Sequence, residues 1–254
     1  MWWCARTSDT LCNYTLGNIS GHNVVVACLP SGVYGKVSAS TVVSQMLSTF
    51  PEIRFGLMVG IGGGVPSIGV DIRLGDVVIS KPMLRSGGVV QYDYGKALRD
   101  GKFHKQQYIR PSDDWLFRAT YDHPDETQDC STCEQNQLVA RDPRENNTPD
   151  FHYGLIASGD QVMKDAKIRD SIAQELDVLC FEMEAAGFMD QLQPLVIRGI
   201  CDYCDSHKNK KWQGYAALAA AAYAKVFLSG IPGLPIINST ISCFSCQNWY
   251  RGHR

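Results

Sequence analysis

Two carboxylates and a guanidinium stand at the ends of two successive strand-like stretches. Phe181-Glu182-Met183-Glu184-Ala185-Ala186-Gly187 continues the run Asp177 to Phe181, and Arg198-Gly199-Ile200-Cys201-Asp202 closes the apolar run that begins at Leu195. Between them Ala185, Phe188, Met189 and Leu192 recur at i, i+3, i+4 and i+7, which predicts a short helix opened by Glu184 and stopped by Pro194. Ligands of open α/β sheets bind beyond the carboxyl ends of the strands, so Glu184, Arg198 and Asp202 are expected to share one pocket. That is an active-site geometry, offering charge of both signs and proton-holding groups to a single ligand. Each carboxylate also has an everyday structural role, complementing a helix dipole or capping a turn. Their joint occurrence at two strand ends favours a site.

The elements that position them alternate between strand and helix patterns. Asn23 to Leu29 reads as a strand closed by Pro30, and Val42, Val43, Met46, Leu47 and Phe50 mark a helix face from Ser38 to Phe50. Ile53 to Val59 is again a strand, and the β–α–β order implies parallel strands joined by a right-handed crossover. Asp76 to Ser80 is the next strand, with Val89 to Tyr92 a candidate partner. Residues 111–150 turn polar and read as a loop insertion with at most one short helix. Tyr153 to Ser158 resumes as a strand ending in Ser158-Gly159-Asp160. A helix carrying Ile168, Ile172 and Leu176 on one side follows, and an Ala-rich helix runs from Tyr215 to about Leu228. No repeat or domain-length linker interrupts the chain. The expected organisation is an atypical segment over 1–22, one α/β domain over 23–230 and an irregular tail over 231–254.

Composition narrows the function classes. The 254 residues are 44% hydrophobic and 20% charged, with a formal net charge of −2, ordinary for a soluble domain and without the basic footprint of a nucleic-acid or membrane-surface binder. The longest apolar tract, Tyr215 to Ala224, is too short to span a bilayer. The amino terminus lacks the basic start and apolar core of a signal peptide, so a cytoplasmic protein is expected. Six of the ten cysteines form C-x-x-C pairs, Cys130/Cys133, Cys201/Cys204 and Cys243/Cys246. Two pairs could supply a four-thiolate zinc site, but the three stand in unrelated contexts, and no metal is assigned. Cys130/Cys133, in the polar loop, is the pair a structural zinc would use. Cys28 and Cys180 read as small core hydrophobes.

Gly60-Ile61-Gly62-Gly63-Gly64 follows a strand and reads as a tight turn whose N–H groups could approach an anion or a ribose. It is not a nucleotide motif: Val65 stands where the dinucleotide fingerprint needs its last glycine, and no Gly-Lys-Ser/Thr follows.

In the order Gly60–Gly64, Leu74-Gly75-Asp76-Val77-Val78-Ile79-Ser80, Ser158-Gly159-Asp160, Glu182-Met183-Glu184 and Arg198-Gly199-Ile200-Cys201-Asp202, the chain resembles the nucleoside phosphorylase-I superfamily over roughly Asn23 to Leu228. Gly154 to Lys225, including His207-Lys208-Asn209-Lys210-Lys211-Trp212, looks like the phosphorylase-like domain of fungal multidomain proteins in which an NTPase module and a repeat array follow. The resemblance implies a three-layer α/β/α sandwich around a central mixed twisted sheet, and cleavage of the N-glycosidic bond of a purine nucleoside or nucleotide. It makes Asp202 the acid that protonates the leaving purine at N7, with a raised pKa. Glu184 becomes the acceptor of ribose hydroxyls that stabilises the oxocarbenium-like transition state. Arg198 orients the nucleophile. Met183, Glu182, Gly62, Gly63, Phe181 and Val162 line the substrate. No cofactor is implied, beyond phosphate as co-substrate in a phosphorylase, and a homo-oligomer is.

Three departures bear on this. The usual first strand and its Glu or phosphate-binding Gly are not found before Asn23. Ile61 stands where relatives place a serine, which favours hydrolysis over phosphorolysis. Val162 replaces an aromatic that stacks on the purine, a contact worth about 1–3 kcal/mol by analogy with base stacking, for which Tyr92, Tyr94 or Phe181 could compensate. Phosphorolysis is the alternative activity, and a truncated, catalytically impaired nucleoside-binding or signalling module the alternative role. His207, Lys208, Lys210 and Lys211 read as a solvated basic loop.

Overall fold

A computed structural model describes residues 3–5, 14–29, 33, 35–83, 87–92, 110–124, 130–232 and 240–245. Pro30, Tyr94 and Cys246 lie outside the described residues. Among the described residues there are ten strands: β1 (Trp3–Ala5), β2 (Tyr14–Ile19), β3 (His22–Cys28), β4 (Ile53–Gly64), β5 (Val77–Ser80), β6 (Val89–Gln91), β7 (Phe151–Ser158), β8 (Val178–Glu182), β9 (Leu195–Asp202) and β10 (Thr240–Ser245). Three α-helices accompany them among the described residues: α1 (Lys36–Thr49), α2 (Ala166–Leu176) and α3 (Gln213–Gly230). They form the mixed sheet with flanking helices that the resemblance implies, in the order β1-β2-β3-β10-β4-β8-β7-β5-β9, with β6 beside β7.

The 12-residue β4 organises this sheet. One of its edges pairs with β10 along Ile53 to Val59 and then with β8 at Gly63 and Gly64. Its other edge pairs with β9 from Leu57 to Gly63. Because β9 also pairs with β5, β5 with β7 and β7 with β8, the five strands close into a circuit. Gly60–Gly64 is therefore strand and not a turn, a correction with a steric cause. At Gly63 the strand is flanked on both sides, and a Cβ there would stand 2.0 Å from Cys204 Sγ and 2.6 Å from Asp202 Oδ1. Only glycine lets the backbones approach so closely.

Strand alternation sorts the core into two faces. Met58, Val78, Ile156, Val196 and Ile200 pack with Ala39, Val42, Val43 and Met46 of α1. Leu57, Val59, Val77, Ile79 and Ile197 pack against Ala220, Ala224 and Leu228 of α3. Leu155, Ala157, Val178 and Phe181, also of the alternate set, pack with Ile172, Ala173 and Leu176 of α2. The helices thus make two outer layers around the sheet.

Several local expectations need correction. Periodicity predicts a helix from Glu184 through Leu192, but only a single 3-10 turn, Ala185–Gly187, forms. The Glu182 carboxylate accepts the N–H groups of Glu184 and Ala185, and Ser158 Oγ accepts that of Ala186, so the first turn is captured by side chains. Helix α2 starts at an Asp165 cap accepting from Lys167 N and Ile168 N, with Ile168 exposed. The strands β3 and β4 are parallel but not neighbours, because β10, from the stretch that sequence leaves irregular, lies between them. Residues before Asn23 contribute β1 and β2, the latter in a hairpin with β3. β6 pairs with β7, not β5. Cys28 is exposed, whereas Cys180 is buried.

The polar segment 111–150 is anchored rather than loose. Phe117, Cys130 and Cys133 form a small core with Trp115, Tyr121 and Leu138. At its far end Arg144 reaches Asp76, which also accepts from Arg73 N (2.8 Å), Asp150 N (3.0 Å) and His152 Nε2 (3.0 Å). Burial by itself pushes the Asp76 carboxyl up, but Arg144, His152 and the two N–H groups outweigh it and hold it at about 2. A carboxyl depressed from its usual value near 3.9 contributes stability that is present above pH ~4 and lost as pH falls through ~2, here about 2 kcal/mol. Urea unfolding between pH 5 and pH 2 should therefore show a steeper loss of stability, by about that amount, for the wild type than for Asp76→Asn. Equal slopes would remove Asp76 from the acid response.

Candidate functional site

The strand β8 ends in Glu182 and β9 carries Arg198 at its centre, opposite Gly60 of β4. Arg198 is fully buried, on the α1 side with Met58, whose Sδ lies 3.2 Å from Nη2. A guanidinium there requires a counter-charge, and Glu182 supplies it in a direct hydrogen-bonded pair with Nη2. Glu184 Oε2 lies 3.5 Å from the same nitrogen. Glu182 thus has two tasks: it neutralises Arg198 and fixes the backbone at Glu184 and Ala185, which sets the direction of the Glu184 side chain. Met183 between them is half-buried, and Phe181 before them is buried.

Asp202 sits four residues beyond Arg198, which in a regular strand would place both on one face. The register between β4 and β9 shifts here: Ile200 faces Gly62 and Asp202 faces Gly63, so Cys201 is an extra residue in the ladder. That irregularity re-aims Asp202. Its Oδ1 accepts from Cys204 N at 3.0 Å, and Oδ2 meets the Cys201 thiol at 3.1 Å and Lys208 Nζ at 2.9 Å. Burial alone would raise this carboxyl, but the Lys208 ammonium, with the Cys201 thiol and the Cys204 N–H, brings it below the ordinary carboxylate range. That lowering runs against the raised pKa implied for a proton donor. Lys208 is paired with Asp202 rather than free in the loop, though its side chain stays partly exposed, and Asp202 raises its pKa.

The predicted acidic residues thus fall into two adjoining groups. Glu182 and Glu184 gather around Arg198; Asp202 stands apart with Cys204 and Lys208, which were not among the predicted site residues. Gly62 and Gly63 are the wall between them: a Cβ on Gly62 would meet Phe181 O at 2.9 Å and Arg198 Cβ at 3.3 Å, and Gly63 faces Asp202. The cavity that Asp202 lines is bounded by Leu74, Trp115, Tyr203, Asp205 and His207, and Glu184 and Arg198 are not in its wall. The irregularity at Cys201 sets Asp202 off the strand face that carries Arg198.

Around this wall other side chains take places that sequence does not reveal. Tyr92 packs edge-on against Phe181 with ring centroids 5.1 Å apart and donates its hydroxyl to Gln161 O, beside the exposed Val162. Asp160 is taken up by α1, accepting from Lys36 N and pairing with its ammonium at 3.2 Å. Asp205, buried, accepts from His207 N, and burial pushes its carboxyl up to about 6. Arg141 ties the 111–150 segment to Tyr203 (2.9 Å) and, within the segment, pairs with Asp114 (3.2 Å). Only the polar run after Asp202 hinted at Lys208; its pairing depends on the left-handed turn at Cys204, φ 57.

Removing Arg198 while leaving Glu182 strands a buried carboxylate, at a cost of about 3–5 kcal/mol. Urea denaturation should show that loss for Arg198→Met, and the double variant with Glu182→Gln should recover much of it. Full additivity of the two substitutions would mean that the pair does not hold this part of the fold.

Comparison with known proteins gives these groups a context. A relative in Hyaloscypha variabilis, a nucleotide-binding leucine-rich repeat (NLR)-like protein, is 42% identical over 254 residues, covering 85% of this chain and 25% of that protein. An ATP nucleosidase Cap17 of Escherichia coli is 28% identical over 213 residues, 76% of this chain and 39% of the relative. The chain thus spans well under half the length of either. A 5'-methylthioadenosine/S-adenosylhomocysteine nucleosidase of Mycobacterium bovis is 26% identical, covering 86% of this chain and 84% of that enzyme. Among solved structures, the nucleosidase of that name from Neisseria meningitidis, in complex with methylthio-immucillin-A, superimposes with a TM-score of 0.57 at 19% identity over 91% of this chain and 90% of its own, a likeness of fold. The profile of the phosphorylase superfamily matches residues 6–228. The chain belongs to the phosphorylase superfamily.

Proposed function

We propose that this chain hydrolyses the N-glycosidic bond of a purine nucleoside or nucleotide. The observation that carries the reading is the pair of buried acidic groups on either side of the Gly62–Gly63 wall, one holding Glu184 beside Arg198 and the other holding Asp202 beside Lys208. The nucleosidases among its relatives support the reaction type. As the bond breaks, positive charge grows on the ribose and negative charge on the base. Glu184, beside Arg198, would accept the ribose hydroxyls and stabilise the positive sugar. Arg198 holds Glu184 in place and orients the attacking water.

Asp202 serves the base. A purine entering against Oδ2 displaces Lys208, and the burial that the ammonium had offset then raises the carboxyl, so that it takes up a proton and can donate it to N7. The Lys208 pair thus stores Asp202 as a carboxylate until substrate arrives. Ile61, half-buried in β4 opposite Gly199, offers no hydroxyl to a phosphate, which favours water as nucleophile.

The test is base release from adenosine, inosine, guanosine and ATP, with and without phosphate, followed chromatographically. Release independent of phosphate is expected, with kcat lowered about 10²–10⁴-fold in Asp202→Asn or Glu184→Gln. Release that requires phosphate would replace hydrolysis with phosphorolysis, and nucleoside binding without any release would make the chain a recognition module.

A further inference from the structure

The segment 111–150 holds a cluster that the glycosidic chemistry does not use. His123, Cys130 and Cys133 are all buried, and one donor atom from each, a ring nitrogen and two Sγ, lie within 4.8 Å of one another. Cys130 opens the 3-10 turn Cys130–Thr132 and Cys133 follows it, the two joined by Cys133 N donating to Cys130 O at 3.2 Å, which brings both thiols to one side. His123 reaches them from the preceding stretch, its own N–H fixed by Ser206 Oγ at 2.9 Å.

A second, independent observation lies next to this trio. The His207 side chain is only 4% exposed, and neither of its ring nitrogens makes a hydrogen bond; Asp205 Oδ2, at 3.8 Å from Nδ1, is too far. Its ring is stacked on Phe117 at 4.1 Å and on Tyr121 at 5.4 Å, and its centroid is 5.3 Å from that of His123. Burying an imidazole without partners forfeits the hydration of both nitrogens, a cost proteins rarely carry without a ligand to repay it. Cys130 Sγ already lies 3.7 Å from the His207 carbonyl, so the two segments touch at this point.

We propose that His123, Cys130 and Cys133 bind a zinc ion, with His207 closing the tetrahedron. Two thiolates and two imidazoles are a donor set that zinc takes at about 2.3 Å and 2.0–2.1 Å, which sets donor atoms about 3.3–3.8 Å apart. The three observed donors need contract by only about 1 Å to reach that spacing. Four protein ligands leave no open position, so the ion is structural and takes no part in bond cleavage. Its effect is to clip the 111–150 segment to the turn Asp202–Lys208, the stretch that sets the Asp202–Lys208 pair and lines its cavity. Sequence alone pointed only to Cys130/Cys133 and assigned no metal; the two histidines come from 7 residues before Cys130 and 74 residues after Cys133, a spacing that no short motif displays.

Metal content tests this without reference to activity. The full chain, produced in zinc-supplemented medium and purified without chelator, should contain about one zinc per chain by elemental mass spectrometry. Modification of its thiols with a mercurial should release that zinc to a colorimetric indicator. Cys130→Ser and His123→Ala should reduce the content to background, Cys28→Ser should retain it, and His207→Ala should bind zinc at least tenfold more weakly in competition with a chelator. Should the first two variants fail to fold, the wild-type stoichiometry and thiol-linked release still decide the matter. A folded wild-type chain that takes up no zinc, or a Cys130–Cys133 disulfide in the purified protein, overturns the site. Wild-type zinc affinity in His207→Ala overturns the fourth ligand.

Discussion

A guanidinium with no exposure to water constrains everything around it. Arg198 lies in the middle of β9, where its charge is tolerable only against a carboxylate in hydrogen-bonding contact. Glu182 must therefore stand at the end of β8, and β8 must lie across β4 from β9. The same carboxylate takes the N–H groups of Glu184 and Ala185, so the ion pair also shapes the turn that carries the next acidic group. Charge neutralisation and the placement of Glu184 are one structural event.

That arrangement needs strands packed more closely than side chains normally allow. The glycine end of β4 meets the requirement, since Gly62 and Gly63 let Phe181, Arg198, Asp202 and Cys204 crowd the same stretch of backbone. The closed circuit of β4, β8, β7, β5 and β9 follows from it. On one side of the glycine wall Glu182 and Glu184 both face Nη2 of Arg198. On the other, Asp202 is satisfied by Lys208, a partner from a turn that a ligand can displace more easily than a strand.

The segment 111–150 illustrates how polarity misleads. Its Asp, Asn, Glu and Gln content reads as loop, yet its few apolar residues form a core of their own, and its arginines reach Asp76 and Tyr203. Long-range ion pairs leave no periodic trace in sequence. The same limit explains why β10 was not expected: a strand that completes a sheet from far along the chain is recognised by its neighbours' open edges, not by its own pattern.

Periodicity and strand-end chemistry were enough to place α1, α3, β4, β8 and β9, because apolar spacing at 3.6 or 2 residues records which face is buried. They also singled out Glu182, Glu184, Arg198 and Asp202 as charges in an apolar setting, which is unusual enough to be legible in one dimension. What they could not contain is the geometry between segments. The extra residue at Cys201 turns Asp202 away from the face of Arg198, the left-handed turn at Cys204 returns Lys208 to it, and Glu182 captures the N–H groups that would have begun a helix. Local pattern reports which side chains are buried; only the folded chain decides which of them meet, because a buried charge selects its partner by distance in space.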